Sequence, residues 1–129
     1  MKYLLLIYSN PARWEHPMFL HQHETLPAEE RDARMNEFTA LFTEITESGE
    51  FIDSAPLADP INSKTVRVRD KGLAITDGPF VDAKEHLAGY FVIDCETPER
   101  ATEIASRFPD ARDCAVEVRP IMEIAGMEM

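Results

Sequence analysis

The residues best suited to chemistry gather around the run Asp77-Gly78-Pro79-Phe80 and His86. Pro79 fixes its own φ and drives Gly78 into an extended or glycine-only conformation, so the turn presents Asp77 and Phe80 in a set geometry. Asp77 then reads in two ways. It is a general base or polar anchor in a cleft, or it closes an Asx turn onto backbone N–H groups. His86 follows nine residues after Asp77, and an imidazole is the natural proton-transfer partner if the turn folds back. Beside it, Lys84 and Glu85 form either part of a ligand site or an ordinary solvated pair. Near the end of the chain Arg119 is two residues from Glu117. It can hold an anion by parallel hydrogen bonds or bridge to that glutamate. Tyr8 can offer a hydroxyl to a cleft or serve as core with a satisfied tip, and Phe80 can supply an apolar wall.

A second cluster is His16, His21 and His23. An extended His21-x-His23 places both imidazoles on one side, with Glu24 near, as zinc or another transition metal would accept. The spacing matches neither HExxH nor a finger, and a solvated loop is the preferred reading. Cys95 and Cys114 lack metal-type spacing and read as reduced thiols. No phosphate-binding glycine loop or nucleophile elbow occurs, and no cofactor is expected.

These residues need elements to position them. Lys2 to Tyr8 reads as an apolar strand and Ser9 to Leu26 as a long loop. A helix from about Pro27 to Ser48 buries Met35, Phe38, Leu41, Phe42 and Ile45 and stops at Gly49. Phe51 to Leu57 is a second strand. Thr65–Arg69 and Leu73–Thr76 form a hairpin around Asp70-Lys71-Gly72, with one dry and one wet face. Leu87 to Asp94 is a strongly apolar strand, with Leu87, Gly89, Phe91 and Ile93 expected on one face. Thr97-Pro98-Glu99 caps a second helix that buries Ala101, Ile104, Ala105 and Phe108 and ends before Pro109. Ala115 to Met122 is the last strand, placed at an edge or bulge by Pro120. Hairpin aside, the order is βαββαβ, a ferredoxin-like α+β fold on an antiparallel sheet, with one domain spanning 1–129.

Both central strands are apolar on both faces, yet two helices cover one face only. A second copy packed face to face about a two-fold axis is the expected cover, in preference to the histidine loop folding over it. Lys plus Arg number 13 and Asp plus Glu 24, so the net charge of −11 argues against nucleic acid. At 44% hydrophobic the 129 residues suffice for one core, and no apolar run reaches membrane length. A cytoplasmic location is expected.

The runs MKYLLLIY, TVRVRD, TDGPFVDAKEHLAGYFVID and VEVRPIMEI resemble the DGPF family within the YCII-related superfamily. That resemblance implies a homodimeric α/β barrel of two ferredoxin-like subunits with any site at the interface. It implies little about activity. A distant relative acts on chlorinated hydroquinone breakdown products, and some members are encoded beside, or fused to, sigma factors. Shorter members carry a His/Asp pair with the histidine in the first helix. Here that helix has no histidine, and His86 and Ala88 stand where the family more often has Gln and Gly. Three functions remain open. One is a small cofactor-free isomerase, lyase or dehydrochlorinase acting on a small anionic or phenolic molecule, with Asp77 and His86 moving protons and Arg119 holding the anion. The second is a non-catalytic ligand- or partner-binding module linked to a sigma factor. The third is a metal protein using the histidine loop.

Overall fold

A computed structural model describes residues 1–10, 27–80 and 85–123. The elements are β1 (Lys2–Ser9), α1 (Ala28–Glu47), β2 (Phe51–Pro56), a 3-10 turn (Pro60–Asn62), β3 (Lys64–Arg69) and β4 (Gly72–Asp77). They continue with β5 (His86–Asp94), α2 (Pro98–Ser106), α3 (Asp110–Asp113) and β6 (Ala115–Pro120). β1, β2, β5 and β6 form one antiparallel sheet in the order β2-β5-β1-β6, the ferredoxin-like arrangement, with β2 and β6 at its edges. The hairpin β3–β4 makes a separate two-stranded sheet. Among the described residues no helix is long and apolar enough to cross a membrane.

The helices start and stop for local reasons. Glu29 and Glu30 complement the dipole at the start of α1, and Gly49 ends it with φ +81°. Thr97 caps α2 by accepting a hydrogen bond from the Arg100 N–H at 3.1 Å, with Pro98 in the first turn. The core lies between the helices and one sheet face. Tyr3, Leu5 and Ile7 of β1 and Phe91 and Ile93 of β5 pack against Phe38, Leu41 and Ile45 of α1 and Ile104 of α2. Five phenylalanines interlock there, with the Phe91 and Phe108 rings edge to face at 4.9 Å. Arg100 joins the helical layer together: it donates to Glu50 (2.8 Å) and Glu44 (3.0 Å), and Glu44 also accepts from Arg107.

The opposite sheet face carries Leu4, Leu6 and Tyr8 of β1 and Tyr90 and Val92 of β5, all half-buried. In register with them stand Arg119 and Glu117 of β6, opposite Leu4 and Leu6. None of these residues belongs to the core cluster beneath the helices. One strand face differs from the expectation. A bulge places Ile7 opposite Gly89 but Tyr8 opposite Leu87, with Ala88 as the extra residue. Leu87 therefore shares the open face with Tyr8 rather than the core face with Phe91, while Ala88 is fully buried. The hairpin's alternation holds, but its apolar face is exposed: Val66, Val68, Leu73 and Ile75 are all more than half accessible.

Candidate functional site

One end of the sheet collects most of the polar candidates. β1 finishes there with Tyr8 and Ser9, and Ser9 pairs with His86 at the start of β5. β2 finishes there as well, with the Leu57 N–H bonded to the Ala88 carbonyl at 2.8 Å. The hairpin returns the chain to the same end through Gly78, whose N–H bonds the Ser63 carbonyl at 2.7 Å and whose φ is +95°.

Two hollows flank this corner. The larger is a groove of about 340 Å³ lined by Leu57, Asp59, Asn62, Ser63, Pro79 and His86, with Leu87 completing its wall. That volume lies at the low end of small-molecule sites. Its floor is built by the 3-10 turn, which Asp59 caps by accepting from the Ile61 N–H at 3.0 Å. Because Leu87 belongs to the open sheet face, groove and face are continuous.

The smaller hollow is a pit of about 30 Å³, water-sized, beneath β5. Ile7, Phe38, Gly89, Phe91 and Phe108 line it, and so does Asp110. Gly89 leaves no room for more: a Cβ there would lie 2.9 Å from the Ala55 carbonyl oxygen. Asp110 is 9% exposed, the one buried charged residue among those described. Burial among aromatic rings pushes its carboxyl up to about 6, and the neighbouring Asp113 adds to the rise, while its own backbone N–H and Arg34 oppose it. Arg34 is held by Asp113 in an ion pair that ties α1 to α3, so little of its charge is left for Asp110. A carboxyl poised near neutrality in an apolar recess can donate or accept a proton. Close by, burial and a hydrogen bond to Glu85 push the Cys114 thiol up to about 11, so it is protonated and a poor nucleophile.

A family model for the YCII-related domain matches residues 1–125. The chain belongs to the YCII-related family. It is also 30% identical over 95 residues to an uncharacterized protein of Rhizobium meliloti (strain 1021), covering 72% of this chain and 77% of that one.

The YCII-related fold distributes the expected site residues unevenly. His86 and Pro79 meet in the groove. Asp77 is not among the groove's lining residues; its side chain is 85% exposed and ion-paired with Lys64 across the hairpin. Phe80 is 69% exposed, with the Arg67 guanidinium 4.9 Å from its ring centre. Arg119 stands on the open sheet face, 3.9 Å from Glu117. Tyr8 occupies the same face beside Leu87 and Ala115. Lys84 and the cluster His16, His21 and His23 lie outside the described residues. Among the described residues no group of three His, Cys, Asp or Glu side chains is arranged to hold a metal. Sequence reasoning missed Asp110, because a single aspartate after a helix-ending proline reads as solvated. The buried Phe108 just before Pro109-Asp110 was the available signal, since it draws the following residues under the sheet.

Proposed function

We propose that this protein is a small cofactor-free acid–base enzyme, working as a homodimer on a small molecule with an apolar ring and an acidic proton. The observation that carries the reading is Asp110, a buried carboxyl facing an aromatic pit at the same strand ends as the His86 groove. Burial keeps a fraction of Asp110 protonated near neutral pH, and the His86 imidazole in the groove supplies a second group able to move a proton. The two hollows lie at the same end of the β2–β5 pairing, the pit lined by Ala55, Pro56 and Gly89 and the groove by Leu57 and Leu87. The pit alone is too small for a substrate, and the groove is the hollow of small-molecule size.

The open sheet face supports the homodimer reading. Leu4, Leu6, Tyr8, Tyr90 and Val92 are half-buried in one chain, and covering the rest of their surface recovers part of the roughly 1.5–3 kcal/mol that full burial of a large side chain gives. A second sheet packed over them also walls the groove at Leu87 and brings the partner's Arg119 face into play as an anion-holding surface.

Proton abstraction can be read without knowing the full reaction. Small phenols and carboxylic acids bearing an acidic C–H are incubated with the protein in D2O, and deuterium incorporation is followed by NMR. Wild-type protein should catalyse exchange for a subset of the panel. Asp110→Asn should lower that rate by roughly 10²–10⁴-fold and His86→Gln by a smaller factor, the range of positioned acids and bases. Unchanged exchange in Asp110→Asn would remove the carboxyl from the mechanism.

A further inference from the structure

The hairpin β3–β4 has an exposed apolar face that the sheet and helices leave unused. In its register Val66 faces Ile75 and Val68 faces Leu73, and their exposures are 58, 55, 70 and 64%. The same alternation places the Lys64–Asp77 ion pair on that face, at its base. The other face carries Thr65, Arg67 and Arg69 against Thr76 and Ala74. A two-stranded ribbon is marginal by itself in water, and this one joins no other strand.

Charge argues for what covers it. Residues 64–77 hold four basic side chains (Lys64, Arg67, Arg69, Lys71) and two acidic ones (Asp70, Asp77), a net of +2. The whole chain carries −11, so everything outside the hairpin sums to −13. A basic arm with an aliphatic face is complementary in charge to the acidic remainder of another copy. An anionic lipid surface is a poorer fit: the chain as a whole is repelled, and the aliphatic face lacks the aromatic residues that anchor at lipid interfaces.

We propose that the β3–β4 hairpin is a dimerisation arm whose Val66, Val68, Leu73 and Ile75 face packs on a second copy of this chain. The arm rests on the homodimer reading above and adds to it. Two-fold symmetry uses each arm–body contact twice. Asp77, the first residue of the Asp-Gly-Pro-Phe run, thereby gains an assembly role. Docking screens the Lys64–Asp77 pair from water, so its partners hold the arm's base square to the partner subunit.

Sedimentation velocity across a concentration series tests this, with wild type, the arm variant Val68→Glu/Leu73→Glu, the base variant Asp77→Asn and the sheet-face variant Leu6→Glu. Wild type should be a dimer whose Kd rises with salt. The arm variant should raise Kd roughly a hundredfold with an unchanged circular dichroism spectrum, and Asp77→Asn roughly tenfold. A wild-type monomer at all concentrations overturns both the dimer and the arm. A dimer broken by Leu6→Glu but untouched by the arm variant overturns the arm alone. Should the arm variant unfold, hydrogen exchange of wild type decides. Amides of 64–77 that gain protection with protein concentration support the arm, and concentration-independent exchange refutes it. Co-sedimentation of wild type, but not the arm variant, with phosphatidylglycerol vesicles would make the partner a lipid surface and overturn the second copy.

Discussion

Replacing Asp110 by Asn should make the protein more stable, by an amount that depends on pH. The native carboxyl is pushed up to about 6 from an ordinary value of 3.8. Between those two values the folded state holds a proton that the unfolded chain releases, so raising pH through this window costs stability. Above pH 6 the full penalty is present, and below 3.8 it is absent. At 1.36 kcal/mol per tenfold, the rise corresponds to at most about 3 kcal/mol. Asn cannot ionise, so the variant escapes the penalty. For a chain of 129 residues about 1 kcal/mol moves Tm by about 4 °C, which sets a ceiling of about 12 °C at pH 7.5. The assay is thermal unfolding of both proteins by circular dichroism from pH 4 to 8. The Tm difference should be near zero at pH 4, grow through pH 5–6 and level off above 7. A difference of constant size, or one that shrinks with rising pH, would mean that Asp110 is not a buried ionisable group, and the acid–base reading would fall with it. A variant that is stabilised and inactive is the expected signature of a residue retained for chemistry.

Two further outcomes follow from the same structure. Arg100→Ala should destabilise by about 1–3 kcal/mol at pH 7, because Glu50 and Glu44 lose their charged donors. Hydrogen bonds from Arg100 and Arg107 hold both carboxyls below the usual range, so this contribution is present at neutral pH and lost as pH falls through their lowered values. Urea unfolding at pH 7 and pH 3 checks it, and an equal loss at both would refute the ion-pair account. Gly89→Ala should cost about 1–3 kcal/mol, since its Cβ meets the Ala55 carbonyl oxygen at 2.9 Å. The same denaturation measurement reads it, and a neutral result would show that β2 moves aside freely.

The elements were legible because their signals were redundant. Period, cap and stop agree for α1, and Thr97-Pro98-Glu99 marks α2 at once. Pro120 placed β6 at an edge, and the sheet order bears that out. What the sequence hid were matters of two or three atoms. The bulge at Ala88 turns Leu87 to the open face, and no residue type there announces it. Alternation separated the hairpin's faces correctly but could not say that the drier one would lie open in a single chain. The site was legible only in part. His86 and Pro79 do share a groove, whereas Asp77 is occupied with Lys64 outside its lining. Asp110 draws its character from the Phe38, Phe91 and Phe108 rings around it, contributed by three different elements or their flanks, and that convergence is invisible along the chain.

The two outer strands of the large sheet both end in proline, Pro56 on β2 and Pro120 on β6. Each lacks the amide hydrogen that an incoming strand would need to extend the ladder. Growth sideways into ribbons or fibrils is therefore discouraged at both margins, although the strands are rich in apolar residues. What these margins leave open to contact is the broad surface of the sheet, where side chains and not backbone amides meet whatever approaches.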